Sequence, residues 1–305
     1  MANHVSVILD VDTGNDDALA LGFGVLDPEI HLVAATTVAG NAGIGDTTRN
    51  TLTVLDWFDA THVPVYRGAS RPLTRPLVTI PHLQGIDGLG DAHLQPSRRT
   101  VGPESGPEAI VRLSQAHPGQ LTLVCVGPLT NLALALNLEP TLPDLVSGVV
   151  VMGGAFHVPG NITDHAEFNI HCDPEAAALV FAAAGHFKRF TAIGLDVCHQ
   201  VALVRSDYET CLSLEGAGAE LFTRIARRQF EDRQWAEFYL YDPLALAVAA
   251  TPDLITTESV EVEVDLGDER LGQTQVVGSG PVEVAVAVDS ERFTSYFKRR
   301  LGLAC

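Results

Sequence analysis

The chain has 305 residues, of which 46% are hydrophobic, and it carries a formal net charge of −19 with a pI near 4.8. This length and composition predict a soluble globular protein with one large α/β domain or at most two smaller ones. Because nucleic acids and anionic membranes are bound by clustered Lys and Arg, the acidic balance argues against both as partners. No apolar run approaches the roughly eighteen residues that span a bilayer, and residues 1–7 lack the basic and apolar regions of a secretion signal.

Predicted strands and helices alternate along most of the chain. It opens with a buried strand at 5–9, a turn at 13–15 and an apolar helix from residue 18. Further strands are expected at 31–41, 63–68, 121–126, 148–156 and 189–198. Helices are expected at 43–60, at 103–116, after 127, from 173 and over most of 206–251. This alternation is typical of an α/β fold with a mainly parallel sheet.

Two regions depart from this alternation. A Pro- and Gly-rich loop covers 69–103, and a loop of this length within a compact domain is usually functional or mobile. Residues 259–289 alternate or are β-branched, which predicts a meander or an added hairpin before a last helix at 290–301. We therefore predict a single α/β domain over residues 1–305. Its mainly parallel, Rossmann-like central sheet is flanked by helices, and extra β-strands lie near the C-terminus.

The five cysteines indicate the redox compartment. They form no CxxC pair, are odd in number and mostly lie in apolar surroundings: Cys125, Cys172, Cys198, Cys211 and Cys305. Buried, reduced thiols fit this pattern, and we expect a cytoplasmic protein.

Four carboxylates follow the first strand within eight residues: Asp10, Asp12, Asp16 and Asp17. No Lys or Arg precedes Arg49, so nothing nearby in sequence neutralises them. Like charges held a few ångströms apart raise each other's pKa values unless a cation compensates. Oxygen-only ligands of this kind suit Ca²⁺ or Mg²⁺. The alternative is a solvated acidic turn, which an abrupt junction with a fully apolar strand disfavours.

Polar residues also follow later predicted strands. Ligands of open α/β sheets bind beyond the carboxyl ends of the strands. Candidates at these ends are Asn41, Val126-Gly127, Met152-Gly153-Gly154 and the segment carrying Asn161, Glu167 and Asn169. Glu167 and Asn169 are two residues apart, so an extended backbone would place both on one face. A single Asn after a strand is more often turn chemistry, but agreement across several strand ends favours one site.

The acidic stretch DVDTGNDDALAL resembles a family fingerprint. Later segments match the same family in order and spacing: TTVAGN at 36–41, VGPLTNLA at 126–133, VVMGGA at 150–155, GN…AEFN…DPEAA at 160–177 and DPLA at 242–245. The chain is thereby similar to the calcium-dependent inosine/uridine-type nucleoside hydrolases, from about Val5 to past Val277.

This resemblance implies a site for a ribonucleoside. Ca²⁺ would be held by Asp12, Asp17, the backbone carbonyl of Val126 and Asp242. The ribose and its 5′ end would be bound by Asp16, Asn41, Asn161, Glu167 and Asn169, with Met152 beneath the sugar. Asp10 would support the loop from behind. A homotetramer or homodimer is also implied.

The expected reaction is hydrolysis of the N-glycosidic bond to free base and ribose, through an oxocarbenium-like state. Asp12 would accept a proton from the Ca²⁺-bound water as general base. Carboxylates and amides around the ribose, Asn169 among them, would stabilise the positive charge that develops on the ring.

Stabilisation of the leaving base is the step at which this chain departs from the family, because family members usually carry His before the late metal aspartate. This chain has Tyr241 there, and Gln84-Gly85 replaces the family's His-Gly in the long loop. Tyrosine has a reference pKa near 10, so it donates a hydrogen bond but is a weaker proton source than histidinium. Base preference is expected to depend on the loop 69–103 and on a helix at 222–241.

Three interpretations of the leaving-group step stay open. Tyr241 donates through its hydroxyl, another histidine serves, or aromatic stacking activates a purine. The candidate histidines are His82, placed on the substrate side, His93 and His165; the stacking candidates are Trp235, Phe238 and Tyr239. The aromatic group is equally consistent with a helix face that fills the core.

Two other functions are consistent with part of this sequence pattern. The DVDTG segment also resembles the nucleophile motif of haloacid-dehalogenase-type phosphatases, with Asp10 as nucleophile and Mg²⁺ bound. Such chemistry needs a downstream lysine, and Lys188 has no acidic pair after it at suitable spacing. The other alternative is a nucleoside- or ribose-binding protein without efficient turnover, because Tyr241 replaces the leaving-group histidine.

Overall fold

The computed structural model describes residues 4–304. Cys305 and the first three residues of the N-terminal segment discussed above lie outside this range. The strands are β1 Val5–Val11, β2 Ile30–Thr37, β3 Val65–Arg67, β4 Leu121–Cys125, β5 Gly148–Met152, β6 Phe190–Ile193, β7 Ala202–Val204, β8 Glu237–Tyr239, β9 Ile255–Val264 and β10 Thr274–Val288.

The helices follow the predicted alternation. They are α1 Asn15–Leu26, α2 Ile44–Trp57, α3 Pro81–Gln84, α4 Gly106–Ala116, α5 Thr130–Leu138, α6 Leu142–Leu145, α7 Phe168–Cys172, α8 Pro174–Ala182, α9 Leu195–Cys198, α10 Arg205–Cys211, α11 Ala217–Arg227, α12 Tyr241–Ala250 and α13 Ser290–Leu301. Short 3₁₀ turns lie at Ala184–His186 and Pro252–Leu254, and a π-helical turn at Arg228–Asp232. Among residues 4–304, no helix is long and apolar enough to cross a membrane.

The central sheet has eight strands in the order β3-β2-β1-β4-β5-β6-β10-β9. Every neighbouring pair in it is parallel except β10 with β9. The prediction of a mainly parallel sheet flanked by helices is therefore confirmed. The strand order reverses direction at β1, which pairs with β2 on one side and β4 on the other. Ligands of doubly wound sheets bind at this switch point.

Strand β1 is apolar on both faces because helices cover both sides of the sheet. Its successive side chains alternate between two cores. Val7 and Leu9 belong to the core shared with α1, α12 and α13, whereas Ile8 belongs to the core shared with α4, α5 and α8. This double burial fixes the strand in the middle of the fold and places its carboxyl end, with the acidic turn, at the switch point.

The C-terminal strands form the predicted hairpin, and β10 joins the main sheet beside β6 through Glu283–Thr191 and Val284–Ala192. The expected helix at 222–241 continues only to Asp232. Helix α11 ends at Arg227, the π-helical turn follows, and β8 then pairs antiparallel with β7 in a separate small sheet. Aromatic residues in β8 explain the difference, because Phe238 is buried as a strand residue against β7.

Candidate active site

A cavity of about 440 Å³ opens over the carboxyl ends of the parallel strands. One side is polar and is lined by residues that follow β1, β2, β4 and β5, including Asp16, Asn41 and Val126. Another part of the lining is largely aromatic and comes mainly from the chain between the π-helical turn and α12. The cavity therefore lies at the switch point and has two chemically distinct walls.

Backbone amides organise the acidic turn between β1 and α1. The amide nitrogens of Asp12 and Gly14 donate to the two carboxylate oxygens of Asp17, at 3.1 and 2.9 Å. Asn41 donates from its backbone to Asp12 Oδ2 at 2.6 Å and from its side chain to Asp17 Oδ2 at 3.2 Å. Asp17 also lies in the first turn of α1, where the helix dipole favours a negative charge. The turn is thus built to hold carboxylates in place.

Two glycines make room for Asp12. A Cβ at Gly40 would overlap Asp12 Oδ2, and one at Gly127 would lie 2.9 Å from Asp12 Oδ1. The Asp12 side chain is therefore enclosed by the loops that follow β2 and β4. Both Asp12 and Asp17 are fully buried beneath the polar wall of the cavity.

Helix α12 brings a further carboxylate to this turn. One oxygen each from Asp16, Asp17 and Asp242 lies within 4.8 Å of the others, while Asp12 is outside this three-residue group. Asp242 is in the first turn of α12, which packs against α1. The structure thus brings together Asp17 and Asp242, which the sequence assigned to one metal, and adds Asp16.

Burial perturbs all of these carboxyl groups. It raises the pKa of Asp12 and of Asp242, with further increases from neighbouring carboxylates. Burial and the charge of Asp17 raise the pKa of Asp16 to about 7. Burial likewise raises the pKa of Asp10 to about 7, although hydrogen bonds from Thr36 and Asn131 oppose this shift. Asp10 lies behind the turn, as the sequence predicted.

The residues present fit a divalent cation. Within residues 4–304, none of the carboxylates of Asp10, Asp12, Asp16, Asp17 and Asp242 pairs with Lys, Arg or His. Asp12 Oδ1 is buried and accepts no hydrogen bond there. An oxygen-only donor set with excess negative charge suits a hard cation such as Ca²⁺ or Mg²⁺.

Asn169 supports the Val126 carbonyl. Its side-chain nitrogen donates to the carbonyl oxygen of Val126 at 2.8 Å and to that of Met152 at 3.2 Å. These two carbonyls end β4 and β5, so one amide ties the two strand ends together. A carbonyl oxygen has two lone pairs, so Val126 keeps acceptor capacity beside this bond.

The expected extended backbone at 167–169 is wrong. Phe168 begins α7, and Glu167 is its N-cap: the carboxylate accepts from the amides of Asn169 and Ile170, and also from Gly154. The physical reason is that a carboxylate at a helix N-terminus satisfies amides that have no partner within the helix. Burial still raises the pKa of Glu167 to about 7.

The other predicted ribose residues line the same cavity. They are Asp16, Asn41, Met152, Asn161, Glu167 and Asn169. Asn161 accepts a hydrogen bond from the Phe168 amide at 2.9 Å, which fixes the loop before α7. All six residues predicted to contact the sugar thus surround one space.

The aromatic wall contains Trp235, Phe238, Tyr239 and Tyr241. The rings of Tyr239 and Tyr241 are stacked, with centroids 5.5 Å apart and an interplanar angle of 13°. Trp235 is 39% exposed at the mouth of the cavity, and Phe238 is buried in the core as well as lining the cavity. Burial raises the pKa of the Tyr241 phenol, so its hydroxyl stays protonated and acts as a hydrogen-bond donor.

The structure does not bring His82, which was predicted on the substrate side, into the cavity. His82 is exposed and lies outside the cavity lining. The helical turn α3 instead directs Ile80, Leu83 and Gln84, at positions i, i+3 and i+4, toward the cavity. His93 and His165, the other candidate acids, are also exposed and outside the lining.

Two residues near the site were missed as partners in the sequence analysis. Gln84 bridges the acidic turn and the loop after β2. Its Oε1 accepts from the Asn15 amide at 2.8 Å, and its Nε2 donates to Asn41 Oδ1 at 3.2 Å. His199 lies with its ring centroid 5.2 Å from Tyr239 and 5.9 Å from Tyr241. Neither contact has a local sequence signal, since each depends on segments far apart in the chain.

Comparison with known proteins identifies the family. The family model described as inosine-uridine preferring nucleoside hydrolase matches residues 7–295. The inosine-uridine preferring nucleoside hydrolase of Crithidia fasciculata is 36% identical over 300 residues, covering 94% of each chain. Uridine nucleosidase 1 of Arabidopsis thaliana is 32% identical, covering 99% of this chain and 94% of its own.

A solved structure agrees with these relatives. The purine-preferring ribonucleoside hydrolase from Gardnerella vaginalis superposes with a TM-score of 0.91 at 32% identity, covering 98% of each chain. The chain belongs to the nucleoside hydrolase family, and it is a nucleoside N-ribohydrolase.

Proposed function

We propose that the protein hydrolyses the N-glycosidic bond of ribonucleosides, releasing free base and ribose. The observation that carries this proposal is a single cavity with six ribose-binding candidates on one wall and aromatic rings on the other. This division suits a ligand with a polar sugar and a flat base. The named activities of the relatives, on inosine, uridine or purine nucleosides, support the substrate class.

The proposed cofactor is Ca²⁺, held by Asp12, Asp17, the backbone carbonyl of Val126 and Asp242. When bound, the ion would supply positive charge that orients sugar hydroxyls and makes a nearby water more acidic. The unpartnered Asp12 Oδ1 and the unpaired buried carboxylates support a cation at this place.

Asp12 is the proposed general base. One carboxylate oxygen is fixed by the Asn41 amide at 2.6 Å, while the other accepts no hydrogen bond from residues 4–304. The free oxygen would take a proton from the attacking water. Burial raises the pKa of Asp12, which makes its carboxylate a stronger base than an exposed aspartate.

The sugar would be held by Asp16, Asn41, Asn161, Glu167 and Asn169, with Met152 packed beneath it. The oxocarbenium-like transition state places positive charge on the ribose ring. Buried carboxylates and amide oxygens that are already oriented stabilise this charge without reorganisation during the reaction. Glu167 illustrates such orientation, since three backbone amides fix its carboxylate.

The base would lie against the aromatic wall, with the Tyr241 hydroxyl as hydrogen-bond donor to the leaving group. The raised pKa of Tyr241 makes full proton transfer unfavourable, so stacking by Trp235 and Tyr239 would share the stabilisation of the departing base. The absence of a strong acid at 241 also favours a second candidate, a nucleoside- or ribose-binding protein with little turnover.

The cellular setting is a further part of the proposal. Burial raises the pKa of the thiols of Cys125, Cys172 and Cys198, which supports a cytoplasmic protein with unreactive thiols. A homo-oligomer, dimer or tetramer, and a role in nucleoside salvage are proposed from the family alone.

Incubating the purified protein with Ca²⁺ and a panel of purine and pyrimidine ribonucleosides, and measuring released ribose, tests the proposal. Hydrolysis of at least one nucleoside is expected. Binding of nucleosides without release of ribose from any of them would contradict hydrolysis and favour the binding-protein function.

A further inference from the structure

Helix α1 begins without a side-chain cap of its own. Its N-cap residue is Gly14, which has no side chain to accept from the amides of the first turn. Gln84, 69 residues after Asn15 in the chain, supplies an acceptor instead, since its Oε1 accepts from the Asn15 amide at 2.8 Å. A Cβ at position 14 would lie 2.7 Å from this oxygen, so the glycine leaves room for it. The start of α1 is thus fixed by a residue of the long loop.

The same carboxamide connects to Asp17, a proposed metal ligand. Gln84 Nε2 donates to Asn41 Oδ1 at 3.2 Å, and Asn41 Nδ2 donates to Asp17 Oδ2 at 3.2 Å. The two ends of this series of hydrogen bonds fix its direction, because a backbone amide only donates and an ionised carboxylate only accepts. Each of the two carboxamides therefore has one orientation that satisfies both neighbours, and Asn41 is held with its nitrogen toward Asp17.

Gln84 is itself held by the long loop, because its carbonyl accepts from the Gly90 amide at 2.7 Å. A second side chain joins the same two segments. Asn50 Nδ2, on α2, donates to the carbonyl of Thr13 at 3.3 Å and to that of Asp87 at 3.0 Å. Asn50 is only 2% exposed, so water has little access to these bonds. The long loop and the acidic turn are therefore joined at two places.

We propose that Gln84 is a positioning residue that couples the long loop, residues 69–103, to the metal carboxylates of the acidic turn. It acts on Asp16 and Asp17 through the start of α1, and on Asp17 also through Asn41. Carboxylates that are oriented before the cation binds lose less conformational freedom on binding. This inference rests on the proposed function, because it assumes that a divalent cation binds at the acidic turn.

Calorimetric titration of Ca²⁺ into the chelated protein tests the coupling. Gln84→Met keeps the length of the side chain but removes both hydrogen bonds, and it is expected to raise the Ca²⁺ dissociation constant about tenfold. Gln84→Asn is one methylene shorter and reaches at most one of the two partners, so an increase of about threefold is expected.

Gln95→Met is the matched control, because Gln95 is an exposed residue of the same loop and lies outside the cavity lining. Its Ca²⁺ dissociation constant should lie within about twofold of the wild-type value. Circular dichroism and the unfolding temperature check that each variant is folded. Gln84→Asn, the smaller change, keeps the inference testable if Gln84→Met does not fold.

The calcium dependence of activity separates positioning from direct contact with the substrate. At a Ca²⁺ concentration equal to the wild-type dissociation constant, Gln84→Met would be only about one-tenth loaded, so its kcat/KM should be about fivefold lower than that of the wild type. At saturating Ca²⁺ this difference should shrink to less than about threefold.

Hydrogen exchange measures the coupling without any substrate. Coupling between two sites is reciprocal, so Ca²⁺ that orders the acidic turn should also slow amide exchange in residues 80–91 of the long loop. This protection is expected in the wild type and in Gln95→Met, and it should be lost in Gln84→Met.

Three results would overturn the inference: an unchanged Ca²⁺ dissociation constant in Gln84→Met, equal exchange protection in Gln84→Met and the wild type, or a loss of activity that saturating Ca²⁺ does not recover. The first two need no substrate, so they remain decisive if the wild type hydrolyses no nucleoside and the proposed function fails. A wild-type protein that binds no Ca²⁺ would contradict both the proposed cofactor and this inference.

Discussion

The Arg228 guanidinium pairs with the Asp91 carboxylate at 2.8 Å, and this ion pair joins the loop that carries Gln84 to the turn that begins at Arg228. On one side, Asp91 follows Gly90, whose amide donates to the carbonyl of Gln84 at 2.7 Å. On the other side, Arg228 begins the turn that carries Gln229. Two segments that are far apart in the chain are thus coupled at the mouth of the site.

Breaking this pair should weaken substrate binding more than it slows the chemical step. Arg228→Met is expected to raise KM by up to about fivefold with kcat nearly unchanged, because a partly exposed pair contributes up to about 1 kcal/mol. Asp91→Asn should behave similarly, and the double variant should be no worse than either single one. Arg224→Met, which removes the more exposed pair with Glu220, is the control. Additive effects of the two substitutions would contradict the coupling.

Asp12→Asn should lower kcat/KM by more than about three orders of magnitude, because it removes both the proposed base and a proposed metal ligand. Asp10→Asn is the matched comparison. Asp10 supports the turn through Thr36 and Asn131 without lining the cavity, so a smaller loss of about 10- to 100-fold is expected. Steady-state kinetics measure both losses in kcat/KM, and circular dichroism checks that each variant is folded. A loss below tenfold for Asp12→Asn would exclude its role as base.

Tyr241→Phe should lower kcat about tenfold, the effect of losing one hydrogen bond to the leaving base. Tyr239→Phe is the control, since that hydroxyl is already bonded to Glu237, and kcat should change by less than about threefold. Tyr241→His should introduce a new fall in kcat with rising pH, near the histidine reference pKa of about 6.5. Full kcat of Tyr241→Phe on every substrate would show that the hydroxyl is not the donor.

Removal of the metal should make stability depend on pH. The pKa of Asp16 is about 7 in the folded protein, above the ordinary value of 3.8. The metal-free folded state therefore binds more protons than the unfolded state between these values, and its stability falls as pH rises through about 7. Chelated protein should unfold at a lower temperature at pH 8 than at pH 5.5, and added Ca²⁺ should remove most of this difference.

Asp16→Asn should reduce the pH dependence of the chelated protein, because it removes one of the perturbed carboxyl groups. Equal unfolding temperatures of the chelated wild type at both pH values would contradict the proposed charge balance. Elemental analysis of the protein as purified provides an independent measurement. Stoichiometric zinc or iron would contradict a site for a hard, oxygen-bound cation.

Much of the fold and of the polar wall was predictable from local pattern. The apolar strand at 5–9 and the polar residues after parallel strands placed Asp16 and Asn41 in one site, because such strand ends meet at one edge of a sheet. The orientation of side chains in short irregular segments was not predictable. Gln84 rather than His82 lines the cavity because both lie in a single helical turn, α3, and a segment this short has no sustained apolar period from which its orientation could be predicted. Strand β8 within the helix predicted at 222–241 was not predictable, because its pairing partner, β7, lies earlier in the chain.

The meeting of Asp242 with Asp16 and Asp17 also constrains the order of folding. Synthesis proceeds from the N-terminus, so the acidic turn leaves the ribosome long before α12 exists. Throughout that interval Asp16 and Asp17 lack the third carboxylate, Asp242, with which they could close around an ion. A cation held by these carboxylates would consequently bind only once α12 has packed against α1, and it would stabilise contacts that form late in folding. Contacts of this kind slow unfolding more than they accelerate folding, so the ion would act on the lifetime of the native protein rather than on how quickly it forms.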